Sequence, residues 1–281
     1  MQAADKHEIG SAPRAPRPPD RARAVLGWLK LHPNLVRVAA VVVFFTFWEF
    51  AARDVNPLFM SYPSAIFRAA WTITENGELP QAFLASMGPF VVGLAISIVG
   101  GVLIGVLIGQ FWLIEYMLDP FINALYAIPR VALVPLIILW AGLEFTGKVS
   151  ILVSIAIFPV IINTYAGIKD VRGGLIEIGR AYCATDLQIF TKIVLPAALP
   201  YIMAGTRMAV GLAIIGMVVA EFFTAVTGLG GLIVNYANTF ATAKLFVPVI
   251  VIGLLGVGLT EMVMLLERRL SHWRTLERER F

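Results

Sequence analysis

The chain has 281 residues, 59% hydrophobic and only 14% charged, with a mean hydropathy of +0.83. That is more apolar surface than a soluble core of this size can hide, so the composition places the protein in a bilayer and leaves little room for a soluble catalytic domain. The formal charge of +4 and pI near 9.3 come from basic residues beside apolar runs, which serves anionic headgroups and membrane orientation and argues against nucleic acid. The single Cys183 excludes an intrachain disulfide, and His7, His32 and His272 lie in hydrophilic tails or span flanks, so no metal site assembles.

Residues 1–33 are rich in Pro, Arg and Ala and carry no sustained apolar period, which predicts a disordered or surface-bound cytoplasmic tail. The first apolar run reads as a retained anchor, because Ala51-Ala52-Arg53-Asp54 makes a poor cleavage site for a signal peptide. Six spans are expected, at 35–52, 86–109, 116–142, 149–168, 200–224 and 245–266, within a membrane domain of 34–270 and before a cytoplasmic tail of 271–281. Pro120, Pro129 and Pro135 predict that the third span is kinked or partly re-entrant. Between the first two spans, an amphipathic piece near Ser64–Ile73 reads as an interfacial helix outside the membrane. It either meets a substrate-delivering partner or only connects the spans.

In the second span Gly93, Ser97, Gly101, Gly105 and Gly109 recur every four residues. Small residues at that interval make one flat helix face against which another backbone can pack in lipid; a lining for a permeation path is the other reading.

Lys and Arg set the orientation. With the amino terminus cytoplasmic, only Arg53, Arg68, Lys148 and Lys244 of the 22 basic residues fall outside, and Arg130 and Arg207 fall within spans. All the others are inside, a clear positive-inside bias that puts both termini and the polar insert at 170–196 in the cytoplasm.

Within that insert, Leu175, Ile178, Ala181 and Tyr182 recur at helical spacing. Asp186 is the expected N-cap of a second short helix carrying Leu187, Phe190, Ile193 and Val194 as its apolar stripe, with Pro196 expected to stop it and Pro200 to open the next span. The register Glu177-Ile178-Gly179, three residues, Cys183, nine residues, then Ile193-x-Leu195-Pro196 resembles the cytoplasmic loop of the membrane subunit of ATP-binding-cassette importers. The family pattern has Glu-Ala-Ala and Gly where this chain has Ile178, Gly179 and Cys183. The motif Ile128-Pro-Arg through Leu139-Trp140-Ala141-Gly142, with Val219-Ala-Glu-Phe-Phe223 and Gly228-Leu-Gly-Gly-Leu-Ile233, resembles the branch importing nitrate, sulfonates such as taurine, bicarbonate, aromatic acids or pyrimidine precursors.

The resemblance implies an all-α, six-span type I importer fold with cytoplasmic coupling helices, in the bacterial inner membrane, working as a pair. Two cytoplasmic ATPase subunits would hold the ATP and magnesium, no cofactor would bind this chain, and a periplasmic or lipid-anchored binding protein would deliver a small solute, with an anion favoured. Glu177, Gly179, Arg180, Ala181, Cys183, Ala184, Ile193, Leu195 and Pro196 are the expected ATPase-coupling residues. Small residues near 178–179 would let the helix sit low in a groove of the ATPase.

Gly142-Leu-Glu-Phe-Thr-Gly147-Lys148-Val149 nearly spells a phosphate-binding loop. Val149 stands where the magnesium-holding hydroxyl belongs and no strand precedes the segment, so no nucleotide site is expected. Arg130 and Glu221 are ionisable groups at bilayer depth and hence candidates for the translocation path or for internal pairing. Glu49 and Glu261 lie close enough to span ends to snorkel. An ion-gradient-driven carrier is the rival reading, and a membrane-embedded hydrolase a poorer one, because no catalytic cluster converges within the spans.

Overall fold

A computed structural model describes residues 32–224 and 227–270. The tails expected at the two chain ends lie outside the described residues, except for His32 and Pro33. The fold divides after Asp54. The first unit contains α1 (Pro33–Arg53), opened by a proline whose missing N–H falls where a helix has no partner for it, and closed by an Arg53–Glu49 ion pair at 2.6 Å. Glu49 is therefore paired within its own helix.

In the second unit α2 (Pro63–Glu75) buries Ile66 and Ile73 and exposes Phe67 and Trp71, as an amphipathic interfacial helix requires. Next comes α3 (Glu78–Gln110), two turns longer at its start than the expected span. The third span is broken: α4 (Trp112–Ala127) and the segment Arg130–Ala141 meet at 91°. Pro129 causes the break, since it forces Ile128 into extended backbone (φ −70°, ψ 131°), and the chain resumes as a 3₁₀ turn (Arg130–Leu133) and α5 (Val134–Ala141).

The bundle is centred on α6 (Phe145–Lys169), which lies between α3 and the later helix Leu195–Thr224. The glycine face of α3 is its packing surface on α6. Cβ atoms added at Gly93, Gly101, Gly105 and Gly109 would fall 2.6–2.9 Å from Leu152, Val160, Thr164 and Ile168. The four-residue period on one helix thus meets a four-residue period on the other, and Ser97 and Ala156, the intervening small residues of the two periods, are both fully buried. The small-residue stripe is a seam within the chain.

After α6 come α7 (Gly173–Ala181), α8 (Asp186–Ile189), a π-turn (Phe190–Val194) and α9 (Leu195–Thr224). The expected stop at Pro196 does not occur. From Asp186 to Thr224 the chain is one helical rod of 39 residues, roughly 58 Å long. The π-turn makes this possible: the Leu195 N–H donates to the Phe190 carbonyl five residues back, shifting the ladder by one just before the residue that has no N–H to give. Pro200 is likewise inside the rod rather than at its start.

Two further helices, α10 (Gly228–Asn238) and α11 (Thr242–Leu270), complete the fold. Among the described residues five helices are long and apolar enough to cross a bilayer, or six if the bent pair is counted as one span. Polar ties cluster at the two ends of the bundle. At one end Lys169 pairs with Glu115 (2.6 Å) and the Tyr201 hydroxyl donates to Asp170 (2.5 Å); at the other the Tyr236 hydroxyl donates to Glu78 (2.5 Å) and Thr242 to the Leu58 carbonyl (2.6 Å). Arg207, expected within a span, is paired there with Glu267.

Candidate functional site

The insert at 170–196 folds as two helices at an angle, and the turn between them is fixed by backbone chemistry. Cys183 has φ +54°; its N–H donates to the Arg180 carbonyl (2.9 Å) and the Ala184 N–H to the Gly179 carbonyl (3.0 Å). These two bonds are a Schellman ending, in which the residue after the cap must adopt left-handed backbone. The glycine of the family pattern belongs at that position for this reason, and here a cysteine occupies it. The same motif ends α10, with Phe240 at φ +52°.

The N-cap of the second helix is Thr185, not the expected Asp186, which is its first helical residue. Thr185 Oγ1 accepts the Gln188 N–H (3.3 Å) while Gln188 Oε1 accepts the Thr185 N–H (2.9 Å), a reciprocal capping box. The spacing Thr-x-x-Gln is visible in the sequence and identifies the cap better than Asp186 does.

The two faces of this element differ. Gly179 is buried, and a Cβ there would meet Ile193 at 2.9 Å and Ile189 at 3.1 Å. Its smallness therefore serves the crossing of α7 over the rod of the same chain. Ile193 and the half-buried Ala184, Leu195 and Phe190 join Ile168, Ile189, Val194, Ala198 and Ile202 in a core that fastens the element to the bundle. Pro196 is half-buried in the rod. On the outward face Ile178 is 56% exposed, Tyr182 84% and Leu187 71%, with Glu177, Arg180, Ala181 and Cys183 exposed beside them. The bulky residue at 178 points away from the bundle.

The two ionisable candidates are in different settings. Glu221 is 1% exposed near the far end of the rod. Its Oε1 accepts from the Ser86 hydroxyl (2.6 Å), its Oε2 accepts from the Gly230 N–H (2.7 Å), and Ser86 Oγ in turn accepts from the Leu229 N–H (2.9 Å). The first turn of α10 is thus capped by an acid from α9 and a serine from α3, as a buried carboxylate near free helix N–H groups favours. Gly228 (φ +95°) and Gly230 make room for it; a Cβ on Gly230 would lie 2.7 Å from that of Glu221. Sequence reasoning singled out Glu221 but missed Ser86, which no motif marks.

Arg130 begins the 3₁₀ turn at the break of the third span. Its guanidinium sits 4.7 Å from the Tyr126 ring centre and 4.9 Å from that of Phe158, and reaches the carbonyls of Ile155 and Tyr126 at 3.4 Å each. Its Nε is buried with no hydrogen-bond partner among the described residues. Stacking between two aromatic faces suits the planar guanidinium and fixes the cation at the kink. Arg130 and Glu221 are not among each other's partners.

The near-miss phosphate loop has a packing explanation. Gly142 closes α5 and Gly147 lies in the first turn of α6, where any Cβ would overlap the Gly142 carbonyl. Lys148 is 8% exposed and donates to Thr227 Oγ1 at 2.7 Å.

A helical bundle that holds out such an element matches a known class. The chain belongs to the family described as binding-protein-dependent transport system inner membrane component, which matches residues 97–272. It is a permease subunit of an ATP-binding-cassette importer and a multi-pass inner-membrane protein; the gradient-driven carrier is not favoured.

Among its relatives is the permease protein SsuC of Escherichia coli (strain K12), named for aliphatic sulfonates transport, 32% identical over 90% of this chain and 95% of that one. Another is the formylaminopyrimidine transport permease protein ThiX of Halalkalibacterium halodurans, 33% identical over 87% and 96%. A solved amino acid ABC transporter crystallised with histidines has the same fold, with a TM-score of 0.50 at 17% identity over 68% of this chain and 91% of that one.

Proposed function

We propose that two copies of this permease enclose the pathway of an importer powered by two cytoplasmic ATPase subunits, which hold the ATP and magnesium. The termini and the 170–196 element face the cytoplasm, and an external binding protein delivers the solute. Closure of the ATPases draws the two coupling elements together and turns the pathway outward; hydrolysis reverses it. Glu177 and Arg180 are the polar contacts across the ATPase junction.

The observation that carries this reading is the division of the coupling element into a face packed on its own rod and an exposed face bearing Ile178, Tyr182 and Leu187. Exposed apolar side chains ringed by polar ones mark a docking surface. The solute is a small organic or inorganic anion of the nitrate, sulfonate, bicarbonate or aromatic-acid kind. The sulfonate relative and the Arg130 cation at the span break support that class, and Arg130 and Glu221 remain its pathway residues, the first by charge and the second by shaping the outer end.

The test is uptake by proteoliposomes holding the permease with its ATPase and binding protein. ATP-driven, uncoupler-insensitive uptake is expected, with Glu177→Lys or Arg180→Glu retaining ATP hydrolysis while losing uptake. Uptake that persists without ATP and collapses with an uncoupler overturns the reading.

A further inference from the structure

The extra two turns of α3, residues 78–85, precede the apolar stretch expected to enter the bilayer. They form one wall of a cleft of about 580 Å³ whose other wall is α10. Ala82, Ala85 and Gly228 also line it; Gly228 packs on the Glu221 carboxylate and Ala85 precedes Ser86, the residue that donates to that carboxylate. Glu78, Gln81, Thr227, Asn235 and Asn238 bring a carboxylate, three primary amides and a hydroxyl to it.

Glu78 is the lining residue with a formal charge. Its Oε2 accepts from the Tyr236 hydroxyl, which fixes the carboxylate, and it makes no ion pair among the described residues. Burial and that carboxylate push the Tyr236 phenol above its usual range, so it stays a donor. Two lysines stand near the cleft: Lys148 donates to Thr227 within electrostatic reach of Glu221, and Lys244 stands 5.6 Å from the Tyr236 ring centre, and neither forms an ion pair with Glu78.

We infer that this cleft receives a lysine or arginine side chain of the external binding protein, with Glu78 as its counter-charge. The inference rests on the importer reading and on the orientation that puts this end outside. A carboxylate backed by amide carbonyls suits a multi-donor cation and disfavours an anionic solute. The volume accommodates a long side chain with water. The place, at the outer end of the bundle and not in mid-membrane, suits a protein contact better than a stop along the solute's path. Docking there bears directly on α10, which Glu221 fastens to the rod whose other end is the coupling element.

The experiment measures the affinity of the cognate binding protein for the nanodisc-embedded permease–ATPase complex, at two ionic strengths. Glu78→Gln is expected to weaken binding about tenfold and flatten its salt dependence, as loss of an interfacial charge does. Glu78→Asp retains most of the affinity, and Glu78→Lys is rescued by an acidic substitution at the partnering basic residue of the binding protein. Retained association with the ATPase shows that each variant is folded. Wild-type affinity and salt dependence in Glu78→Gln overturn the inference. So does protection of an Asn235→Cys thiol by the solute alone, which would give the cleft to the solute. Failure of the importer reading is seen separately, as a wild-type permease that captures no ATPase.

Discussion

A side chain on Gly228 would overlap the carboxylate of Glu221, so the glycine must stay bare while the acid holds its place. The glycine's φ of +95° and the acid's contacts to Ser86 and Gly230 tie the first turn of α10 to the rod's far end.

Glu221→Ala leaves the Ser86 hydroxyl and the Gly230 N–H without their acceptor. Each buried donor so stranded costs about 1 to 3 kcal/mol. The expected result is a lower melting temperature of the detergent-solubilised permease, and Gly228→Ala lowers it as well, by expelling the carboxylate. An unchanged melting temperature in both contradicts the staple.

Cys183 occupies left-handed backbone, which costs an L-residue about 1 kcal/mol or more relative to glycine. Cys183→Gly is expected to raise the melting temperature, and Cys183→Val to lower it, because branching at Cβ makes that backbone less accessible. Equal stability of the three proteins would remove the Schellman constraint.

Positions 178 and 179 separate docking from internal packing. Gly179→Val drives a side chain into Ile189 and Ile193, and overpacking of this kind costs about 1 to 3 kcal/mol. The expected phenotype is a displaced coupling helix, read as lost protection of backbone amides at 173–181 in hydrogen exchange. Ile178→Ala leaves that protection intact and weakens ATPase capture. The reverse pattern contradicts the assignment of faces.

Gly105→Val tests the seam, since its Cβ would lie 2.6 Å from that of Thr164 and 2.8 Å from the Ile161 carbonyl. Backbone cannot yield as a side chain can, so α3 and α6 must separate. A sharp fall in folded yield on size-exclusion chromatography is expected, whereas Gly211→Ala, whose Cβ meets nothing within 4 Å among the described residues, is tolerated.

Much of this was legible in the sequence. The small-residue period of α3 identified the seam because lipid packing demands close backbones, and the prolines foretold the broken third span because they remove hydrogen bonds locally. Gly179 was harder: its register suggested a partner's groove, while the crowding comes from Ile189 and Ile193, ten and fourteen residues further along the chain, and depends on the angle of the intervening turn. The continuous rod was missed because Pro196 reads as a helix stop unless a π-turn precedes it, and no residue pattern announces a one-residue shift of the ladder. Ser86 was invisible for a similar reason, as its role depends on a contact 135 positions away.

The central claim is that the 170–196 element stands in the cytoplasm and is covered by the ATPase. Cys183 tests it directly, being the only cysteine of the chain and exposed on that element. A membrane-impermeant maleimide applied to sealed vesicles should label Cys183 in inverted membranes and not in right-side-out ones, with labelling suppressed when the ATPase is bound. Labelling from the outside, or labelling indifferent to the ATPase, would contradict the account.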